Sequence, residues 1–182
     1  MRVISGTARG RRFDAPKGMI ARPTTDRVKE SIFGIIQFDI PGSIVLDLFS
    51  GSGSLAIESL SRGASFAFLN DSDKGCVAQI RTNINALGFS QCAEILNLDA
   101  YICLKRLKDR DCKFDFIFLD PPYGKKLELQ AIREIRSLGI LQSNGRIVLE
   151  RRAGDDSFYE LPTIDIRKYR DTEIVFLGTK EE

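Results

Sequence analysis

At 182 residues, 43% hydrophobic and 29% charged, the chain fits one soluble domain with a real core, and no stretch approaches the roughly 18 apolar residues of a membrane helix. It contains no histidine, which excludes every imidazole base, and its four cysteines (Cys76, Cys92, Cys103, Cys112) form no CxxC pair, which argues for free thiols and against a zinc site. Net charge is only +2, but residues 1–30 carry eight Lys or Arg against three Asp or Glu, so the positive charge is gathered at one end.

That first segment, "MRVISGTARGRRF" onward, has no long apolar run and is not expected to be a secretory signal; a cytoplasmic protein is expected. Its Gly and Arg content to about residue 22 predicts a short hairpin with loops. A basic arm on a near-neutral body points to a polyanionic partner, although a solvated surface segment would have the same composition. Thr24, Thr25 and Asp26 follow Pro23 as caps for a helix that runs to about Phe38, with Val28, Ile32, Ile35 and Ile36 on one face. Pro41 and Gly42 close it.

Strands and helices then alternate. Strands are expected at 43–49, 65–71, 93–99, 114–120 and 145–150. Between them lie a helix ended by Gly63, one with Val77, Ile80, Ile84 and Leu87 stopping at Gly88, a short one with Tyr101, Leu104 and Leu107, and one with Leu129, Ile132, Ile135 and Leu138. "TIDIRKYRDTEIVFLG" reads as a closing hairpin around a polar turn. The pattern predicts an α/β, Rossmann-like, doubly wound and mostly parallel sheet of about seven strands, with a C-terminal antiparallel hairpin. Residues 1–42 are expected to form a basic hairpin-plus-helix extension packed on a domain of residues 43–182.

"VLDLFSGSGSLAIE" places Gly51, Ser52 and Gly53 between a strand and a helix, where backbone can approach a ligand. With Ala56 in the third small position and an acid, Asp71, about twenty residues on, this resembles an NAD fingerprint. Three details oppose NAD. Asp47, inside the strand, would repel a pyrophosphate and attract a cationic amino-acid moiety. Asp99 ends the third strand and can accept from an adenine amino group. Asp120 ends the fourth. S-adenosylmethionine, cationic at one end and then ribose and adenine, fits that row of acids. Asp71 and Asp99 could also be plain helix caps; that explanation fits Asp47 poorly, because a glycine-rich turn separates it from the helix. Asp73 is the better cap in its region.

"DFIFLDPPYGKK" ends a core strand in Asp120, Pro121, Pro122 and Tyr123. Prolines offer carbonyl acceptors without donors and fix the loop. Acceptors there can hold an exocyclic amino group and turn its lone pair toward an electrophilic methyl. Tyr123 can stack on the base, which a helical substrate would have to flip out.

"DPPY" with "LDLFSGSG" resembles the class I S-adenosylmethionine-dependent methyltransferases that act on exocyclic amino groups of bases. "MRVISGTARGRRFDAP", "RPTTDRVKESIF" and "DLFSGSGSLAIESLSRGA" together closely resemble the RsmD family of bacterial 16S rRNA guanine-N2 methyltransferases. The resemblance implies that Asp47, Phe49, Gly51, Ser52 and Gly53 bind the methionine end of the cofactor. Asp71 would take the ribose, Asp99 the adenine, and Asp120 to Tyr123 the target amine, with Ser72 and Ala100 as further cofactor-binding candidates. Arg22, Thr24 and Arg27 would sit near the cofactor or the RNA; Thr24 is taken as a cofactor-binding candidate, and Arg22 and Arg27, with Arg9, Arg11 and Arg12 of the basic arm, as RNA-binding candidates. The family pattern has Glu at the ribose position where this chain reads "NDSD", so Asn70 or Asp73 could replace Asp71. The implied reaction is direct methyl transfer to one guanine of 16S rRNA in the small subunit, by a monomer without metal. A DNA or RNA adenine-N6 methyltransferase is the nearest alternative, and an NAD-dependent oxidoreductase a more distant one.

Overall fold

The computed structural model describes residues 1–16, 26–122, 126–155 and 157–178. Along them run α1 (Asp26–Ile36), β1 (Ile44–Asp47), α2 (Ser54–Ser61), β2 (Phe66–Asn70), α3 (Lys74–Leu87), β3 (Ala93–Leu96), α4 (Ala100–Asp109), β4 (Phe114–Leu119), α5 (Leu127–Leu138), β5 (Leu141–Arg152), β6 (Thr163–Lys168) and β7 (Thr172–Gly178). The strands form one sheet in the order β3-β2-β1-β4-β5-β7-β6. β1 to β5 pair in parallel, and β7 enters antiparallel between β5 and β6. This is the α/β sheet with an antiparallel C-terminal hairpin that the sequence pattern predicts.

Strand side chains alternate between two cores. Val45, Phe116 and Phe118 join α1, α2 and α3 on one face, while Leu46, Ile117 and Leu119 join α4 and α5 on the other. Strands buried on both faces must be apolar throughout, which is why β4 reads as a continuous hydrophobic run. Each fully buried Phe or Ile contributes about 1.5–3 kcal/mol relative to exposure.

The element ends follow local chemistry. The Asp73 carboxylate accepts from the Cys76 N–H at the start of α3, and Gly88 ends that helix at φ 83°. β3 stops at Leu96, short of the expected 99, because Asn97 turns out of the ladder to donate to the carbonyls of Asp71 (2.9 Å) and Ser72 (3.1 Å). β5 begins at Leu141, earlier than expected, since pairing of Leu141 with Phe114 carries the strand through a bulge that the polar "QSNG" does not advertise.

The N-terminal arm is a loop closed by an antiparallel Arg2–Arg12 bridge. Buried Glu58 of α2 accepts from the N–H groups of Ile4 (2.8 Å) and Ser5 (3.0 Å) and is held by Arg62 (2.7 Å). Gly6 lies so close to α2 that an added Cβ would sit 1.7 Å from the Ser61 carbonyl oxygen. Lys29 of α1, buried under the Phe13 ring, donates to the Arg2 carbonyl at 2.7 Å. Among the described residues, no helix is long and apolar enough to cross a membrane.

Candidate active site

The strand order reverses between β1 and β4, and ligands of open α/β sheets sit outside the carboxyl ends at such a point. A cleft of about 1040 Å³ opens there, lined from β1 by Asp47, from β2 by Asn70 and Asp71, from the start of α4 by Asp99 and Ala100, and from the end of β4 by Asp120, Pro121 and Pro122. It is large enough for a nucleoside cofactor with a base beside it.

Asp47 is 2% exposed at the end of β1. The turn after it folds back through Ser50, whose N–H meets the Asn70 carbonyl (2.9 Å) and whose hydroxyl donates to the Asp47 carbonyl (2.7 Å). This fold-back brings Asp47 Oδ2 to the Ala56 N–H in the first turn of α2, at 3.3 Å. The glycine turn therefore does not keep Asp47 from the helix, as its spacing in the sequence implies; it loops out and lets the carboxylate serve the helix as well. Burial pushes the Asp47 carboxyl up to about 7; the Ala56 N–H opposes this and the neighbouring Asp71 charge adds to it. A buried carboxyl held this high is one that a cation would restore to its ionised form.

Asp71 accepts from the Gly51 N–H at Oδ2 (2.8 Å) and from the Asp73 N–H at Oδ1 (2.9 Å), tying the glycine turn to the β2–α3 loop. Of the three candidates for the ribose position, Asn70 and Asp71 line the cleft and Asp73 does not. Asp73 is engaged as the cap of α3, and buried Asn70 spans the loops through the Leu48 and Leu98 carbonyls and the Leu98 N–H. Asp99 combines both readings: it caps α4 through Oδ1, accepting from Tyr101 (2.9 Å) and Ile102 (3.3 Å), and it lines the cleft.

Phe49, Gly51, Ser52 and Ser72 also line the cleft, but Gly53 does not. Gly53 caps α2 at φ 81°, in the left-handed region that favours glycine, and an added Cβ would also lie 3.1 Å from the Leu69 side chain. Arg27 lines the cleft, and Arg9 and Arg12 are exposed on the arm. Arg11 has another engagement, donating to the carbonyls of Leu87 (3.0 Å) and Ala86 at the C-terminus of α3, the negative end of that helix. Thr24, Arg22 and Tyr123 lie outside the described residues. No cluster of three or more potential metal ligands occurs among the described residues.

Sequence reasoning missed the opposite wall. Glu150 and Arg152 from β5, and Lys168 to Thr172 from the β6–β7 turn, line the cleft beyond Asp120. Pairing of Arg152 with Thr172 places that turn at the carboxyl edge. The basic, tyrosine-containing "KYRDT" was the available signal, but its location depends on β7 inserting beside β5.

The fold and cleft are those of the class I, S-adenosylmethionine-dependent methyltransferases. A solved Escherichia coli structure described provisionally as the methyltransferase yhhF superposes with a TM-score of 0.87 at 25% identity over 99% of each chain. A Bacillus subtilis protein named provisionally as the rRNA methyltransferase YlbH is 41% identical over 89% of this chain and 86% of its own length. The ribosomal RNA small subunit methyltransferase D of Haemophilus influenzae is 37% identical over 82% of this chain and 78% of its own. The model of the family described as conserved hypothetical protein 95 matches residues 1–178. The chain belongs to that family, the RsmD family.

Proposed function

We propose that this protein transfers a methyl group from S-adenosylmethionine to the exocyclic N2 amino group of one guanine in 16S rRNA of the small ribosomal subunit, acting in the cytoplasm. The observation that carries the reading is the continuity of one cleft from the acids of β1, β2 and α4 to Asp120-Pro121-Pro122 at the end of β4. The family relatives support an S-adenosylmethionine-dependent rRNA methyltransferase. The choice of guanine and of 16S rRNA rests on the N-terminal block and on the small-subunit designation of a relative.

The residues fit the cofactor chemically. Asp47 is the acid poised to meet an ammonium, Asp71 to accept from ribose hydroxyls, and Asp99 to accept from an adenine amino group. When bound, S-adenosylmethionine supplies an electrophilic methyl group. The chain's own contribution is alignment and acceptors. The Asp120 carboxylate and the carbonyls of the Pro121-Pro122 loop hold the amine, orient its lone pair and meet the positive charge that develops on nitrogen. Asp120 or solvent then removes the proton. Tyr123 is assigned to stacking on the base, Thr24 to the cofactor, and Arg9, Arg12, Arg22 and Arg27 to RNA phosphates. Residues 1–42 act as an RNA-binding extension of the domain formed by residues 43–182, in a monomer that uses no metal.

The test is to incubate the protein with labelled S-adenosylmethionine and small subunits lacking the modification, and then to map the label. The expected product is N2-methylguanine at a single 16S nucleotide. Label on adenine N6, or on DNA and not rRNA, would overturn the reading.

A further inference from the structure

Eight of the sixteen arginines among the described residues form ion pairs within the protein. Arg2 pairs with Asp26, Arg62 with Glu58, Arg110 with Glu94, Arg133 and Arg136 with Glu160, Arg146 with Asp39, Arg151 with Glu173, and Arg167 with Asp165. Arg27, Arg152 and Arg170 are among the described arginines that have no ion pair, and of those they are the ones that line the cleft. They come from three elements far apart in the chain: the start of α1, the end of β5 and the β6–β7 turn. Tyr169 fixes the turn against α1 by its hydroxyl bond to Ser31, which lies one helical turn along from Arg27 on the same face.

Their position in the sheet order gives them meaning. The cleft acids Asp47, Asp71 and Asp99 belong to the β3-β2-β1 side, Asp120 ends β4, and Arg152 and Arg170 lie beyond it on the β5-β7-β6 side. Glu150 and Asp171 share that side and are both engaged, while Lys168 approaches Glu173 at 3.6 Å. An arginine fork matches phosphate oxygens in geometry as well as charge. We propose that Arg27, Arg152 and Arg170 form a phosphate clamp that holds the sugar-phosphate backbone of the target nucleotide, on the side of Asp120 opposite the cofactor acids. The clamp rests on the rRNA reading and assigns the C-terminal hairpin a part in substrate binding. It is separate from the N-terminal arm, whose Arg9 and Arg12 lie outside the cleft lining.

The experiment uses the full chain with Arg152→Gln, Arg170→Gln and the double variant, and Arg170→Lys as the charge-preserving form. Arg167→Gln is the control, since Arg167 belongs to the same hairpin but is paired to Asp165 and does not line the cleft. Three quantities are read: affinity for S-adenosylmethionine, KM for small subunits, and the salt dependence of binding to a short single-stranded RNA. Each clamp arginine lost should raise KM about tenfold, as expected for one charge-assisted hydrogen bond, with cofactor affinity unchanged. The slope of log K against log salt should become shallower by about 0.7 per arginine removed. Arg170→Lys should keep the slope and lose part of the KM effect, and Arg167→Gln should change neither. An unchanged slope and KM in the double variant would overturn the clamp. So would a loss of cofactor affinity, which would reassign these arginines to the cofactor carboxylate. The RNA-binding arm needs no methyl transfer, so wild-type protein that binds RNA but labels no rRNA would count against the proposed reaction alone.

Discussion

The two sides of the sheet's carboxyl edge handle charge in opposite ways. On the β3-β2-β1 side, the acids are tied to backbone N–H groups: Asp47 to Ala56, Asp71 to Gly51 and Asp73, and Asp99 to the first turn of α4. On the β5-β7-β6 side, Arg152 and Arg170 have no internal partner among the described residues. The difference is one of solvation. Asp47, withdrawn from water, needs a donor to hold it in place, and the Ala56 N–H at the start of α2 supplies one. The more accessible Asp71 and Asp99 are fixed by N–H groups of the neighbouring loops and of the first turn of α4. An arginine at a cleft mouth stays hydrated until a polyanion displaces the water. The first arrangement suits a small cationic ligand bound in one pose, and the second a long anionic one. Asp120 stands at the boundary, where the two ligands must meet.

The largest effect is expected at Asp120, where the two sides meet. Asp120→Ala should lower kcat about 10²- to 10³-fold while leaving both cofactor and RNA binding within twofold. A variant that kept its kcat would remove Asp120 from the chemistry and leave the two sides without a meeting point.

Asp47→Asn tests the acidic side through pH. The folded-state carboxyl, at about 7, lies above the ordinary 3.8. Between those values the native protein holds a proton that the unfolded chain has released, so this group makes stability fall as pH rises from 3.8 to about 7. Without cofactor, Asp47→Asn should melt higher than wild type at pH 8 and nearly equally at pH 4. Its cofactor affinity should drop about tenfold or more, from loss of a charge-assisted contact. Wild type with the same melting profile as the variant would show that Asp47 ionises normally.

Asn83 of α3 braces the acidic side from behind. Buried, it donates to the carbonyls of Asp14 (2.9 Å) and Ser52 (3.1 Å) and accepts from the Asp14 N–H (3.2 Å), so one side chain links the N-terminal arm to the glycine turn. Asn83→Ala should cost about 2–3 kcal/mol by urea unfolding, because buried backbone groups lose their partners. It should also weaken cofactor binding. A stability loss with cofactor affinity intact would confine Asn83 to the arm.

The smallest effect is expected at the basic side's anchor. Tyr169→Phe, which removes the hydroxyl bond to Ser31, should cost about 0.5–1.5 kcal/mol and raise KM for RNA a fewfold at constant cofactor affinity. An unchanged KM would mean that the hairpin turn holds its place by packing alone.

How much of this was legible beforehand varied with the side. The acids were readable because each ends an apolar run of fixed period, and strand ends in a parallel sheet share one edge. Asp120-Pro121-Pro122 was readable for the same reason. Residues with several possible partners were harder. Arg11 read as one of a run of free basic groups, but the open C-terminal carbonyls of α3 engage it. Gly53 reads as a ligand contact, but it lies outside the cleft lining and holds the left-handed turn that starts α2. The partners of Arg11 are far from it in sequence, so spacing could not choose between its uses.

The alternating elements, the acid at each strand end and the family follow from short-range periodicity and contiguous motifs, so they can be read along the chain. Which arginines line the cleft without an ion pair depends on how distant strands pair. The β6–β7 turn reaches the cleft because β7 pairs antiparallel with β5, setting Thr172 opposite Arg152. That register is fixed by burying Ile174, Val175, Phe176 and Leu177 against both cores. No local feature of "KYRDT" carries that information.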